Sequence, residues 1–105
     1  MYKYIEVENI SKDLKDGKYF CIARVSSLID EGFMIDGSDV KFLSIFKVKE
    51  GDYVRIFFTK DKEDFIVDIL QKIDFEDFLK VQEKFQQIKN LYIWVLYKFY
   101  VQDID

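Results

Sequence analysis

The side chains best suited to chemistry in this sequence form an alternating trio, Tyr53, Arg55 and Phe57. On a β-strand every second residue shares a face, so two aromatic rings would flank one guanidinium. Aromatic rings stack nucleobases and a cation holds the phosphate between them, which is how single-strand binders work. Lys18, Arg24 and Lys41 are further candidate cations for such a surface. The same alternation also describes an ordinary strand with one core face and one solvated face, because cores are rich in aromatics. On the residues alone both readings stand.

Catalytic constellations are thin. The chain has no histidine, which removes the commonest general base, the commonest metal ligand and every Ser-His or Cys-His nucleophile pair. One cysteine excludes an internal disulfide and zinc sites built on cysteine pairs. Cys21 sits between Phe20 and Ile22 and reads as an inert core thiol. Asp61, Glu63 and Asp64 could hold a hard cation loosely, but their setting is that of a hairpin tip. Asp74, Glu76 and Asp77 suit the start of a helix, where negative charge complements the dipole. The four glycines are isolated, so no phosphate-cradling loop is present. The expectation is a non-enzyme without metal or cofactor.

Composition bounds the rest. At 105 residues the chain makes one domain with one modest core. Half the residues are hydrophobic and 18% are aromatic, too apolar for a disordered chain. The net charge of −4 is spread over the whole length, so neither part is a basic arm. Tight nucleic-acid binding through the chain's own phosphate contacts is not expected, because that needs clustered Lys and Arg. Residues 39–60 are the locally basic stretch: Lys41, Lys47, Lys49, Arg55 and Lys60 against Asp39, Glu50 and Asp52. Met1–Ile10 carries Glu6, Glu8 and Asn9 among its apolar residues, unlike a secretory leader. The longest apolar run, Leu91–Tyr97, is far short of the roughly 20 residues of a membrane span.

The elements that must position these residues are short strands. Met1–Ile10 is an edge strand or an extended lead-in, and Ser11 can cap a single turn ending at Gly17. Lys18–Ile29 alternates, with Tyr19, Cys21, Ala23 and Val25 on one face and Phe20, Ile22 and Arg24 on the other. Ser26-Ser27 breaks the phase, the mark of a bulged, bent strand that can serve two sheets. Asp30-Glu31-Gly32 is read as a three-residue loop with glycine at a positive φ. Phe33–Ile35 is a short strand, and Asp36-Gly37 a turn. Val40–Phe46, Tyr53–Thr59 and Phe65–Gln71 are three more strands, the last interrupted by Asp68. Loop lengths make all five antiparallel. Five short strands with a long bent first one suggest a closed Greek-key barrel, best matched by the OB-fold, over residues 1–73.

Residues 74–105 read as one long helix from Asp74 to Val101, free of proline and glycine. Phe78, Val81, Phe85, Ile88, Tyr92, Val95 and Phe99 recur at alternating spacings of three and four, a heptad seam. Such a helix would be about 40 Å long, more than a five-stranded barrel can cover. Each seam side chain is worth roughly 1.5–3 kcal/mol when removed from water. The stripe is therefore expected to meet helices of another chain.

At this point the residues carry a resemblance. Gly17-Lys18-Tyr19-Phe20-Cys21-Ile22-Ala23-Arg24-Val25, then Gly32-Phe33-Met34-Ile35-Asp36-Gly37, then Ile73-Asp74-Phe75-Glu76-Asp77-Phe78-Leu79-Lys80-Val81 with Phe85 and Leu91-Tyr92, resemble the small third subunit of replication protein A. Similar single-OB small subunits occur in the telomere-capping CST complex, and the sequence does not separate the two. The resemblance implies a nuclear, non-catalytic, architectural subunit of a heterotrimeric single-stranded-DNA-binding complex. Its C-terminal helix would join helices of larger OB-fold subunits in a bundle, and it would touch the strand mostly indirectly. Ile93–Val101, apolar nearly all round, departs from that pattern. Two other readings stay open: a free-standing single-strand binder using Tyr53, Arg55 and Phe57, and a protein-binding adaptor with no nucleic-acid role.

Overall fold

A computed structural model describes residues 1–80, 83 and 84. Its first unit, Met1–Asp74, contains β1 (Lys3–Tyr4), a single 3-10 turn (Val7–Asn9), β2 (Gly17–Ile29), β3 (Gly32–Ile35), β4 (Phe42–Leu43), β5 (Tyr53–Asp61) and β6 (Asp64–Lys72). The alternation read along 18–25 becomes an alternation of burial. Cys21, Ala23 and Val25 point into the core, as do Val54, Ile56 and Phe58 of β5, while the residues between them stay half-exposed. Phe33, Phe42 and Phe58 are the largest side chains wholly out of water.

β2 organises the sheet. Its first part pairs antiparallel with β5, from Gly17↔Lys60 to Arg24↔Tyr53. Its last part pairs antiparallel with β3, from Val25↔Ile35 to Ile29↔Gly32. The register slips between Val25 and Ser27, so Ser26 is the extra residue that bends the strand from one partner toward the other. The strand order β1-β2-β3-β4-β6-β5, with β2 also against β5, closes a barrel of β2 to β6.

Four expectations are corrected. There are six strands, because Lys3 and Tyr4 add to the edge of β2 in parallel. The barrel strands are not all antiparallel: β4 runs parallel to β6, with Phe42↔Phe65 and Leu43↔Ile66. The connection 44–52 crosses the barrel end, so β5 returns beside β2 and leaves β4 next to β6. The strand expected over Val40–Phe46 is only Phe42–Leu43. Ser44 ends it: its own N–H still donates to the Glu31 carbonyl at 3.0 Å, in line with the β3–β4 pairing, but its Oγ accepts the Phe46 N–H at 2.9 Å, a local turn that competes with any further ladder. Finally, Gly32 belongs to β3 and not to a loop. Its requirement is steric: a Cβ there would lie 1.8 Å from the Phe42 carbonyl oxygen. The Asp36-Gly37 turn forms as expected, with Gly37 at φ 87°.

Asp68 is the extra residue at a second slip, between Phe57↔Ile69 and Phe58↔Val67, so it bulges β6 without ending it. Lys60, only 3% exposed, continues the inward row of β5. Its ammonium lies over the Phe65 ring, 5.4 Å from the centroid, donates to the Lys62 carbonyl and pairs with Asp16 at 3.5 Å. Asp16 Oδ1 also accepts the Lys62 N–H at 2.9 Å. One end of the barrel is thereby shut by a paired charge, the form in which a buried lysine is tolerated.

The second unit is Phe75–Asp105, and within it residues 75–80, 83 and 84 are helical. Asp74 directly precedes the first helical residue, and Glu76 and Asp77 fall in the first turn, where carboxylates complement the helix dipole. Phe78 is half-buried. The other seam positions, Val81, Phe85, Ile88, Tyr92, Val95 and Phe99, lie outside the described residues.

Cys21 is fully buried, and burial pushes its thiol from 9.0 up to about 12. At neutral pH it is a core atom and not a nucleophile. In the unfolded chain the thiol releases its proton above about pH 9, whereas the folded barrel keeps it until about pH 12. The folded state therefore binds more protons in that window, and stability falls as pH rises through it, by about 1.4 kcal/mol per pH unit. Urea unfolding of the wild type and of Cys21→Ala at stepped alkaline pH should show the extra loss in the wild type alone. Thiol labelling at pH 8 should proceed only as fast as the barrel opens.

Candidate nucleic-acid interface

The β2–β5 register builds one outward face. Arg24 lies opposite Tyr53, Ile22 opposite Arg55, Phe20 opposite Phe57 and Lys18 opposite Thr59. Five of the six candidate contact residues, Lys18, Arg24, Tyr53, Arg55 and Phe57, therefore share a surface. The inward row Val54, Ile56 and Phe58 decides which face of β5 is the outer one.

Lys41 is not among them. It is exposed beside β4 and lines a groove of about 620 Å³ with Lys12, Asp13, Asp39, Glu63 and Asp64. Four carboxylates against two lysines make this groove hostile to a phosphate backbone. It borders β4 and the β5–β6 hairpin, the side from which OB-folds take oligonucleotides.

Aromatic packing joins the outward face to the N-terminal strand. Phe57 stacks on Phe20 with centroids 5.4 Å apart. Tyr2 meets Phe57 edge-on at 5.3 Å, and Tyr4 meets Phe20 at 5.2 Å. Each such pair adds about 0.5–1.5 kcal/mol beyond the area it buries. The Tyr2 hydroxyl donates to Asp68 Oδ2 at 2.9 Å, and the Thr59 hydroxyl donates to the same oxygen at 2.6 Å. That bond to the carboxylate raises the Tyr2 pKa. The bulge at Asp68 thus anchors β1 across the face.

The cations differ in their freedom. Arg24 Nη1 donates to Asp36 Oδ2 at 2.9 Å; that bond raises its pKa, and the Tyr53 hydroxyl adds to it more weakly. Arg55 Nη1 donates to Gln71 Oε1 at 3.3 Å, and Lys18 Nζ sits 5.6 Å from the centre of the Tyr2 ring. Neither Arg55 nor Lys18 has a carboxylate partner among the described residues.

Comparison with known proteins places the architecture. No protein-family model matches the chain, and no curated protein does. A chain in the crystal structure of the S. pombe Stn1-ten1 complex is similar to it, with a TM-score of 0.58 and 20% identity. The shared fold is the OB-fold. The likeness covers 83% of this chain and 93% of that one, so the two are close in length.

Sequence reasoning missed Tyr2, Tyr4 and Phe20. Phe20 was legible as facing away from Cys21, on the side of Ile22 and Arg24. Nothing local, however, says that β2 and β5 are neighbours, so Phe20 and Phe57 could not be joined. The tyrosines were visible only as an alternating pair at an edge.

Proposed function

We propose that this chain is the small, non-catalytic OB-fold subunit of a telomere-capping, CST-type complex that binds single-stranded DNA in the nucleus. The observation that carries this reading is the likeness to a chain of the Stn1-ten1 complex over 83% of this chain and 93% of that one. The name of that assembly pairs two proteins, and the partner proposed here is correspondingly a larger OB-fold subunit. The same likeness favours the CST-type reading over replication protein A.

Three features support an architectural role. The groove by β4 and the β5–β6 hairpin is acidic. The lone thiol is held protonated in the core. The seam from Phe78 to Phe99 is suited to a helix bundle with two larger subunits, which would make the complex a heterotrimer. Strand binding then belongs mainly to the assembly.

The test is purification of the tagged chain from its native cells. A larger OB-fold protein should come with it, and the recovered complex should retain oligo(dT). Phe85→Glu with Tyr92→Glu should dissolve the assembly while the barrel keeps its circular dichroism and melting temperature. Chromatin precipitation should enrich chromosome-end DNA. Equal recovery of internal loci would transfer the reading to replication protein A. A stable monomer without partners would overturn it, and an unfolded barrel in the double variant would assign the stripe to the chain's own core.

A further inference from the structure

We infer that the groove between the end of β2 and the connection 44–49 receives a short acidic segment of a partner protein, whose apolar side chains enter it. The inference stands apart from the proposed function, because it is drawn from the barrel alone.

The groove encloses about 440 Å³, within the range of pockets that take ligands. Leu28, Ile29 and Asp30 form one wall and residues 44–49 the other. Its apolar side chains are unusually open to water. Ile45 is 92% exposed, Leu28 54% and Phe46 37%. These are three of the eight exposed large hydrophobic residues among those described, and they line one groove. Exposed apolar residues gathered in this way, and not scattered singly, mark an interaction site.

The shape is built in advance. Ser44 Oγ accepts the Phe46 N–H at 2.9 Å, a turn with Ile45 at its apex. The Ser44 N–H is tied to the Glu31 carbonyl at 3.0 Å. Further along, the Gly51 N–H donates to the Val25 carbonyl and the Val25 N–H to the Asp52 carbonyl, each at 2.8 Å. A connection tied at both ends has little order left to gain on binding.

Charge and chemistry choose the occupant. Lys47, Lys49 and Lys72 line the groove against Asp30 alone. Glu31, Glu50 and Asp52 are close in sequence but do not line it. Asp52 Oδ2 accepts the Lys49 N–H at 2.9 Å and meets Lys72 Nζ at 3.4 Å. Lys47 and Lys49 have no carboxylate partner among the described residues, and the Lys72 pair is exposed and therefore weak. Three lysines around an aliphatic floor suit an anion with an apolar body. Nucleic acid has the charge but needs rings on which to stack, and Phe46 is the one ring in the groove. Aspartate or glutamate beside leucine-like side chains satisfies both the lysines and the floor.

The test is fluorescence anisotropy of the full chain with a fluorescein-labelled peptide of alternating Asp and Leu, about eight residues long. A dissociation constant of order 100 μM is expected, the weak end of recognition by a small interface. The same peptide with Asn for Asp should bind about tenfold more weakly, and added salt should remove the difference. Ile45→Ser should weaken binding about tenfold, as should Lys47→Ala with Lys49→Ala. All three side chains are exposed, so these variants should keep the wild-type melting temperature. Lys41→Ala, in the other groove, should leave the affinity unchanged. Amide shifts on titration should fall in residues 28–32 and 44–49. The inference is overturned by no binding up to about 1 mM, by equal affinity for the Asn peptide, or by shifts confined to residues 36–43 and 61–66. Displacement of the peptide by oligo(dT) would give the groove to nucleic acid. Dimerisation that Ile45→Ser abolishes would give it to a second copy of this chain. Either result overturns the inference, and neither bears on co-purification of the larger subunit.

Discussion

Gly32→Ala is expected to lose the β3–β4 junction and most of the stability of the barrel. The added Cβ would lie 1.8 Å from the Phe42 carbonyl oxygen, 2.9 Å from the Phe42 carbonyl carbon and 3.0 Å from the Ser44 nitrogen. All three are backbone atoms, so no rotamer change relieves the clash. Either β4 moves away from β3, giving up the Gly32↔Leu43 and Phe33↔Phe42 pairing, or β3 leaves β2. Each route opens the barrel where β4 bridges β3 and β6. A loss above about 4 kcal/mol is expected, the range reserved for direct disruption of the core or backbone. Urea midpoints measure it, and Gly37→Ala is the internal comparison. Gly37 has φ 87° and meets only the tip of a Val7 side chain, at 3.2 Å, which can shift, so its replacement should cost about 1–2 kcal/mol. Equal midpoints for the two variants would show that the close approach at Gly32 is not a constraint.

Phe42→Ala should cost about 3–5 kcal/mol. Phe42 has no exposed surface, and its ring meets Phe33 at 5.7 Å, Phe58 at 5.1 Å and Phe65 at 5.8 Å. These partners belong to β3, β5 and β6, so one ring touches nearly every wall of the barrel. Truncation leaves a void faced by three rigid aromatics that cannot collapse into it. At 4–8 °C per kcal/mol for a domain of this size, the melting temperature should drop by more than about 12 °C. Phe42→Leu, which keeps most of the volume, should cost less than half as much, about 1.5 kcal/mol. A drop of only a few degrees in Phe42→Ala would mean that the ring is not the centre of the core.

How far these features could be read in advance depends on their range along the chain. The alternation from Tyr19 to Val25 and the slip at Ser26 are local, and both appear in the fold as expected; Asp68, read as an interruption, only bulges a strand that runs on to Lys72. The parallel pairing of β4 with β6 is set by a crossing connection, which no periodicity records. Gly32 was recognised as special for the wrong reason, because a steric demand imposed by Phe42 and a positive φ look alike in a sequence. At the candidate site the trio on β5 and the cations of β2 were each legible, but their juxtaposition depends on the register of β2 with β5. Lys41 was grouped with them by nearness in sequence, and the fold puts it among carboxylates.

The bend at Ser26 also orders events in time. The half of β2 beyond it pairs with β3, the very next strand, while the half before it waits for β5, made much later by the ribosome. A hairpin of the first kind forms in microseconds, but pairing across a long intervening segment slows folding toward the millisecond-to-second range. During synthesis the nascent β2–β3 hairpin therefore emerges with Cys21 and Ala23 bared on an unclosed edge. Until β5 clears the exit tunnel this chain is exposed to strand-to-strand aggregation. Its yield should respond to slower translation of residues 30–52 and to chaperones that hold extended apolar segments.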